Sequence, residues 1–361
     1  MDFSSRIITY GDLRKGLSFE NDKYGIASYE YETRRKTFLA NPCAGADEDV
    51  FMYLVEADGV PVGRTMLFET RIKIGDEMLP LYSGSSLRVE NSFQKYGLGG
   101  EIFAYGGTIK KRKLNISAGI SDMALPLYKV TKFHIFEFPK LLRINNVKPI
   151  LGKYGIKGVF QSILGALVNL PLRFYYTLTA GKSRKLKKRY TLEDVKTVPQ
   201  WVDDVVLNDG HKYAEVHDQK WLQWNLDNSF RGDEHDKQSF YVIRQNDNPV
   251  GFVMTKERFR ANTQGMKNVL IGSVVEWGAY NEKELNEADI YRLVLETFSK
   301  KVDIIETATN NAATQRVLKR LGFIHHGDAH IAFKDKKKQL TDAGDASLWR
   351  LRYGYADVIL N

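Results

Sequence analysis

A single cysteine, Cys43, stands among the 361 residues, so no intramolecular disulfide can form, and no cluster of Cys and His has the spacing of a structural zinc site. A reducing compartment and no metal are expected. The opening residues, MDFSSRIITYGDLRKG, lack the basic patch and unbroken apolar run of a secretory signal, which directs the expectation to the cytoplasm. Long hydrophobic runs are missing as well. The most apolar stretch, 159–180, is broken by Gln161, Asn169, Pro171 and Arg173 and does not qualify as a membrane span. Acidic residues are in deficit, 44 against 53 basic ones. The resulting charge of +9 would suit nucleic acid, an anionic membrane face, or an anionic cofactor and substrate. Much of it sits in three runs, 110–113, 182–189 and 334–338, none interleaved with aromatics as an RNA-recognition surface is. They read as solvated helix ends or loops, and no nucleic-acid partner is expected.

What is present is enough for two domains of ordinary size, since 43% hydrophobic and 12% aromatic residues supply ordered cores. An internal repeat supports the division. YLVEADGVPVG at 53–63 and YVIRQNDNPVG at 241–251 share Tyr, Pro, Val and Gly at an offset of 188, and each reads as strand, tight turn, strand. LYKVTKF at 127–133 and VLKRLGF at 317–323 align at an offset of 190. Between these landmarks both halves run in one order, beginning with an extended strand at 81–89 or 269–277. A helix follows, carried by Leu98, Ile102, Phe103, Tyr105 and Ile109 in the first half and by Ile290, Leu293, Val294 and Phe298 in the second. Then come a short strand, 115–120 or 302–307, and a short helix ending near Phe133 or Phe323. Hairpin, strand, helix, strand, helix predicts a βαβ core in each half, hence two similar domains with a sheet apiece. The stretch 151–189 belongs to neither copy. It reads as a helical insert packed on the first domain, or else as an interfacial segment whose run KSRKLKKR makes a weak contact with an anionic membrane surface.

The residues at 91–99, NSFQKYGLG, follow the strand ending at Val89 and open the next helix. Glycine at 97 and 99 lets main chain approach a ligand without an intervening Cβ, and a helix start offers unpaired N–H groups and a positive dipole end. Such a turn can cradle a diphosphate, and a tight strand-to-helix turn also calls for glycine. The pattern Gln94-x-x-Gly97-x-Gly99 resembles the acyl-CoA signature of the GNAT acyltransferase superfamily. ALPLYKVTKF at 124–133 is similar to that family's second motif, with Lys132 where glycine is usual. The resemblance covers roughly 25–145 and 195–335.

It implies an α/β (α+β) fold of two tandem GNAT-like domains, each a mixed, mostly antiparallel sheet flanked by helices. The expected divisions are 1–150, with the acyl-CoA cradle, 151–191, a helical insert and basic linker, and 192–361, a degenerate second copy. The implied activity is transfer of an acyl group, usually acetyl, from coenzyme A to an amine or hydroxyl of a small molecule or a sugar or polysaccharide precursor. Val89, Gln94, Lys95, Tyr96, Gly97, Leu98, Gly99 and Gly100 would then hold acetyl-CoA or another acyl-CoA. Tyr128 would be the general acid, since a phenol of pKa about 10 is protonated at neutral pH; it also reads as a ring packed on the sheet. Glu90, just past the strand, is the candidate base, with Tyr82 and Ser85 as alternatives, and it also reads as an exposed strand-end carboxylate. His134 reads as a core or surface histidine.

In the second half the helix opens on NEKELNEAD at 281–289, without glycine and with four carboxylates that would repel a diphosphate. Leu318 replaces the tyrosine. Glu276 reads as a pocket-lining carboxylate, a buried ion pair or a solvent-facing residue. A Fem-like aminoacyltransferase, which also has tandem folds of this kind, and a non-catalytic acyl-CoA sensor or scaffold are the alternative readings. The oligomeric state is left open.

Overall fold

The computed structural model describes residues 1–109, 112–228 and 236–356. Lys110 and Lys111 of the first basic run lie outside the described residues.

The first half begins with β1 (Phe3–Thr9), α1 (Tyr10–Lys15) and α2 (Ser28–Leu39), then enters the predicted hairpin, β2 (Val50–Ala57) and β3 (Val60–Ile74). It continues through β4 (Glu77–Val89), α3 (Leu98–Thr108), β5 (Leu114–Ala118), α4 (Leu125–Val130) and β6 (His134–Ile144). The insert forms α5 (Lys148–Lys153), α6 (Gly158–Thr179) and α7 (Gly181–Arg189). The second half follows as β7 (Thr191–Val195), α8 (Val202–Leu207), β8 (Tyr213–Glu215), α9 (Gln219–Asp227), β9 (Lys237–Gln245), β10 (Asn248–Thr263), β11 (Met266–Ala279), α10 (Glu287–Val294), β12 (Ile304–Ala308), α11 (Ala312–Arg320) and β13 (Ile324–Asp335). Helices lie against a mixed, mostly antiparallel sheet, which is the expected fold class. Two details differ: Ile109, expected on the first-half helix, is its C-cap in extended conformation, and Phe298, expected on the second-half helix, falls in the turns after α10.

The repeat survives at the level of register. Tyr53 faces Thr65 and Val55 faces Gly63 in the first hairpin, while Tyr241 faces Val253 and Ile243 faces Gly251 in the second. The parallel pairs Ser83 with Ile116 and Ile271 with Ile304 also correspond. Both second motifs end in the same helix stop. Lys132 and Phe133 donate their N–H groups to the carbonyls of Lys129 and Tyr128, and Gly322 and Phe323 donate to Lys319 and Leu318. This is the Schellman arrangement, whose C′ residue takes the left-handed conformation; φ is +60° at Lys132 and +88° at Gly322.

Where a sheet apiece is expected, one 13-stranded sheet runs through both halves, ordered β1-β2-β3-β4-β5-β13-β6-β12-β11-β10-β9-β7 with β8 beside β3. The cause is an exchange of last strands. Following α4, β6 passes β5 and pairs with β12 and β13, while β13 returns to pair with β5. The sheet therefore has a pseudo-two-fold order, and each half completes the other. The insert begins where β6 ends, inside the second half's territory. It accordingly packs there rather than on the first half as expected: α5 lies against β11 and α7 against α10.

The principal core also crosses the division, with Tyr10, Phe51 and Phe68 of the first half in one apolar cluster with Trp221, Phe240 and Phe252 of the second. Beside it a buried ionic group ties down the last described residues. His217 Nδ1 is 2.5 Å from Glu276 Oε2, and Arg350 and Arg352 approach the other oxygen of Glu276 at 3.4 and 3.5 Å. Burial alone would lower the His217 pKa, but Glu215 and Glu276 overcome this and raise it to about 9. Glu276 is thus a buried ion-pair residue and not a pocket wall.

Candidate functional site

Parallel pairing between β4 and β5 is limited to Tyr82 with Asn115 and Ser83 with Ile116. Beyond these residues a cavity of about 700 Å³ lies between the strands, lined by Leu67, Ser85, Ile116 and Ser117 from the sheet, by Ile102 and Phe103 from α3, by Ala124 just before α4 and by Tyr128 from α4. The strand edge is reshaped there by a bulge opposite Thr65, with Ser86 at φ +53°. Such a bulge leaves a residue outside the ladder and re-aims its neighbours. The buried Arg34 guanidinium donates to Ser86 Oγ at 2.7 Å and to Ser85 Oγ at 3.4 Å.

Tyr128 is 9% exposed, and its ring meets Phe103 and Phe133 edge-on at 4.8 and 5.0 Å between centroids. Of the residues expected to act, it and Ser85 line the cavity. Tyr82 lies next to it in β4, its ring 5.1 Å from the Arg112 guanidinium carbon. Glu90 stands one residue past β4, half-buried, with its N–H donating to Val62 O at 2.8 Å. Neither Glu90 nor His134, exposed at the start of β6, is a lining residue.

The glycine turn adjoins the cavity through α3, whose first turn it forms and whose second turn, Ile102 and Phe103, supplies cavity wall. Residues 91–96 make a 3-10 turn, and Gly97, at φ +75°, ends it and begins α3. No side chain caps this helix. The Gly97 and Gly100 N–H groups turn inward to Gln94 O and Gly97 O. Those of Leu98 and Gly99, the first two positions of α3, have no acceptor within the helix. Among the described residues, a Cβ built at Gly97 or Gly100 would meet nothing within 4 Å, and one at Gly99 only Val89 Cγ2 at 3.9 Å. The surface beside these amides is open. Gln94 is held by its own amide, which donates to Asn91 Oδ1 at 3.0 Å, and the Lys95 ammonium lies 5.2 Å from the Tyr96 ring centre.

Cations from both halves also reach the cavity: Arg112, Arg258, Lys334 and Lys336 line it, and no carboxylate or histidine does among the described residues. Burial lowers Arg112 to about 10 and also depresses Lys334 and Lys336. Arg258 is ion-paired with Glu306. The two lysines come from the run read as a solvated end. The signal for them was the alternation of a strand, which puts 334 and 336 on one face, but which cavity that face meets is decided by the strand exchange.

The corresponding space in the second half is closed. Gly272, equivalent to Gly84, faces the Phe298 ring at 2.8 Å and Val302 at 3.2 Å from its ideal Cβ position, whereas Gly84 would meet only Ser117 Oγ at 3.9 Å. Its helix is capped by the Asn286 side chain, which accepts from Asp289 N–H. Leu318 is fully buried in the apolar cluster.

No family model matches the sequence, and no curated protein is similar to it by sequence. Solved structures do match over nearly the whole chain. An N-myristoyltransferase of Saccharomyces cerevisiae with bound myristoyl-CoA superposes with a TM-score of 0.57 at 12% identity, over 92% of this chain and 82% of that one. A second structure of that enzyme, with myristoyl-CoA and inhibitors, gives 0.58 at 12% identity, over 92% and 80%. A GCN5-related N-acetyltransferase from Anabaena variabilis gives 0.51 at 9% identity, over 92% and 73%. The chain has the tandem GNAT fold of these acyltransferases.

Proposed function

We propose that the protein is an acyltransferase that takes acetyl-CoA or another acyl-CoA in the first half and transfers the acyl group to an amine or hydroxyl acceptor. One observation carries the reading: α3, whose second turn walls the splayed cavity between β4 and β5, starts without a side-chain cap at glycines that leave their Cβ positions open. Unpaired N–H groups and the helix dipole there favour a pyrophosphate, and Gln94 to Gly100 would hold it, with Val89 beside the pantetheine. Bound acyl-CoA supplies an activated thioester. Tyr128, at the cavity wall, would hold the proton that the departing thiolate needs. Glu90 is the acidic residue closest along the chain to the lining part of β4 and would take the acceptor's proton. The lining cations Arg112, Lys334 and Lys336, with no carboxylate among the described lining residues, favour an acceptor carrying negative charge, such as an acidic sugar or polysaccharide precursor.

The test combines titration calorimetry with turnover measurements. Gly99→Val should abolish CoA binding without unfolding the chain, because its side chain would fill ligand space and not protein. Tyr128→Phe should lower turnover about 10²- to 10⁴-fold with CoA affinity nearly intact. Unchanged affinity in the first variant removes the site, and unchanged turnover in the second removes the acid.

A further inference from the structure

Helix α6 is amphipathic the wrong way round for a protein surrounded by water. At 3.6 residues per turn, Phe160, Ile163, Leu167, Leu170, Phe174 and Leu178 form one stripe, and they are 80, 55, 64, 71, 66 and 65% exposed. The opposite stripe, Gln161, Gly165, Asn169, Leu172 and Tyr176, faces the protein and is mostly polar or small. It is held by hydrogen bonds: Gln161 donates to Lys148 O at 2.8 Å, Asn169 accepts from Val147 N–H at 3.0 Å, and Tyr176 donates to Ile144 O at 2.7 Å. The Arg143 guanidinium lies over the Tyr176 ring at 3.8 Å. The docking of α6 is therefore specified by polar contacts, and its apolar side is left outward. Contiguous exposed apolar surface of this kind marks an interaction site.

Charge identifies what covers it. From 138 to 192 the chain has twelve Lys and Arg and no Asp or Glu, so this segment alone holds more than the +9 of the whole protein. Within 158–179 the one charged residue is Arg173, and the cations gather at the two ends, Lys148, Lys153 and Lys157 before α6 and six of the nine residues of α7 after it. Three of those six reach acids of the second half, Lys182 at Asp289, Lys187 at Glu296 and Arg189 at Glu284. These pairs fix α7 to the body of the protein, and Arg184, Lys185 and Lys188 are exposed beside them. An apolar stripe between two groups of cations matches a bilayer of anionic lipid, with acyl chains beneath the stripe and headgroups at both ends. No helix among the described residues is long and apolar enough to cross a membrane, which fits a helix lying in the interface.

We infer that α6 and α7 dock the protein on an anionic lipid surface, α6 lying in the headgroup boundary. The inference does not depend on the acyltransferase reading, because its readout is binding to lipid. Full-length protein should float with phosphatidylcholine vesicles containing phosphatidylglycerol, and at least tenfold less with phosphatidylcholine alone. Added salt should release it, since the headgroup attraction is screened. The pair Leu167→Asp and Phe174→Asp should lose flotation while melting at the unaltered temperature, as both side chains are already outside the fold. The pair Lys185→Glu and Lys188→Glu should lose the preference for anionic lipid. Flotation independent of lipid charge, or none, overturns the inference. So does a dimer in sedimentation velocity that the two aspartates disperse while wild-type protein ignores vesicles, for then a second copy covers the stripe.

Discussion

Lys132 occupies a backbone conformation that its chemistry does not favour. At φ +60° an L-residue places Cβ against the following carbonyl, at about 1–2 kcal/mol. The equivalent position in the second half is Gly322, for which that cost is absent. The helix ends near Phe133 and Phe323 were expected from the alignment of the two motifs. What was not legible is that the first copy tolerates the same geometry without glycine. Lys132→Gly should stabilise the protein by roughly 0.5–1 kcal/mol, the left-handed cost less glycine's greater freedom when unfolded. Gly322→Ala should cost about 2–4 kcal/mol, because the new Cβ would also lie 2.4 Å from the Tyr176 ring and overpack it. Chemical denaturation of the two variants measures both; a loss of stability in Lys132→Gly would mean that the lysine's contacts outweigh the strain.

Among the elements, those with strong local signals were read correctly. Each hairpin has its alternation and turn, and α3 has its glycine start, so their places followed from period and punctuation alone. The contents of the two splayed spaces did not, because a side chain such as Phe298 enters from a turn whose path no periodicity describes. The acids at 281–289 illustrate the same limit. They were read as repelling a diphosphate; the structure adds that Asp289 and Glu284 pair with Lys182 and Arg189 of α7 and that Asn286 caps the helix. A phenyl ring fills the second splayed space, and the residues that open its helix carry side chains where the first half has glycine. One CoA should bind per chain. Titration should give a stoichiometry near one, unaffected by Glu287→Gln and lost with Gly99→Val. Two equivalents, or one that persists in Gly99→Val, would place ligand in the second half.

The molecule as a whole is one sheet because its halves trade their final strands, and nothing in a strand's own sequence names its partner. Residues 134–144 and 324–335 alternate as strands would in any pairing; the choice between own sheet and other sheet is made by the chain path after α4 and α11. Separation of the halves would therefore remove more than an interface. A fragment of 1–150 would keep β6 but lose β12 and β13, its two neighbours, and would expose β5 on the side that β13 covers. Its core would also open, since Phe51 and Phe68 pack in the cluster that holds Trp221 and Phe240. Unpaired edges and exposed aromatics lead to aggregation. Each fragment expressed alone should be insoluble or lack near-ultraviolet dichroism, while co-expression of 1–150 with 151–361 should restore a soluble complex. The intact chain should melt in a single calorimetric transition whose van't Hoff and measured enthalpies agree, even though chains of this length commonly unfold in steps. Two resolved transitions, or a folded first fragment that binds CoA by itself, would show that the exchanged strands decorate two independent units and do not join them.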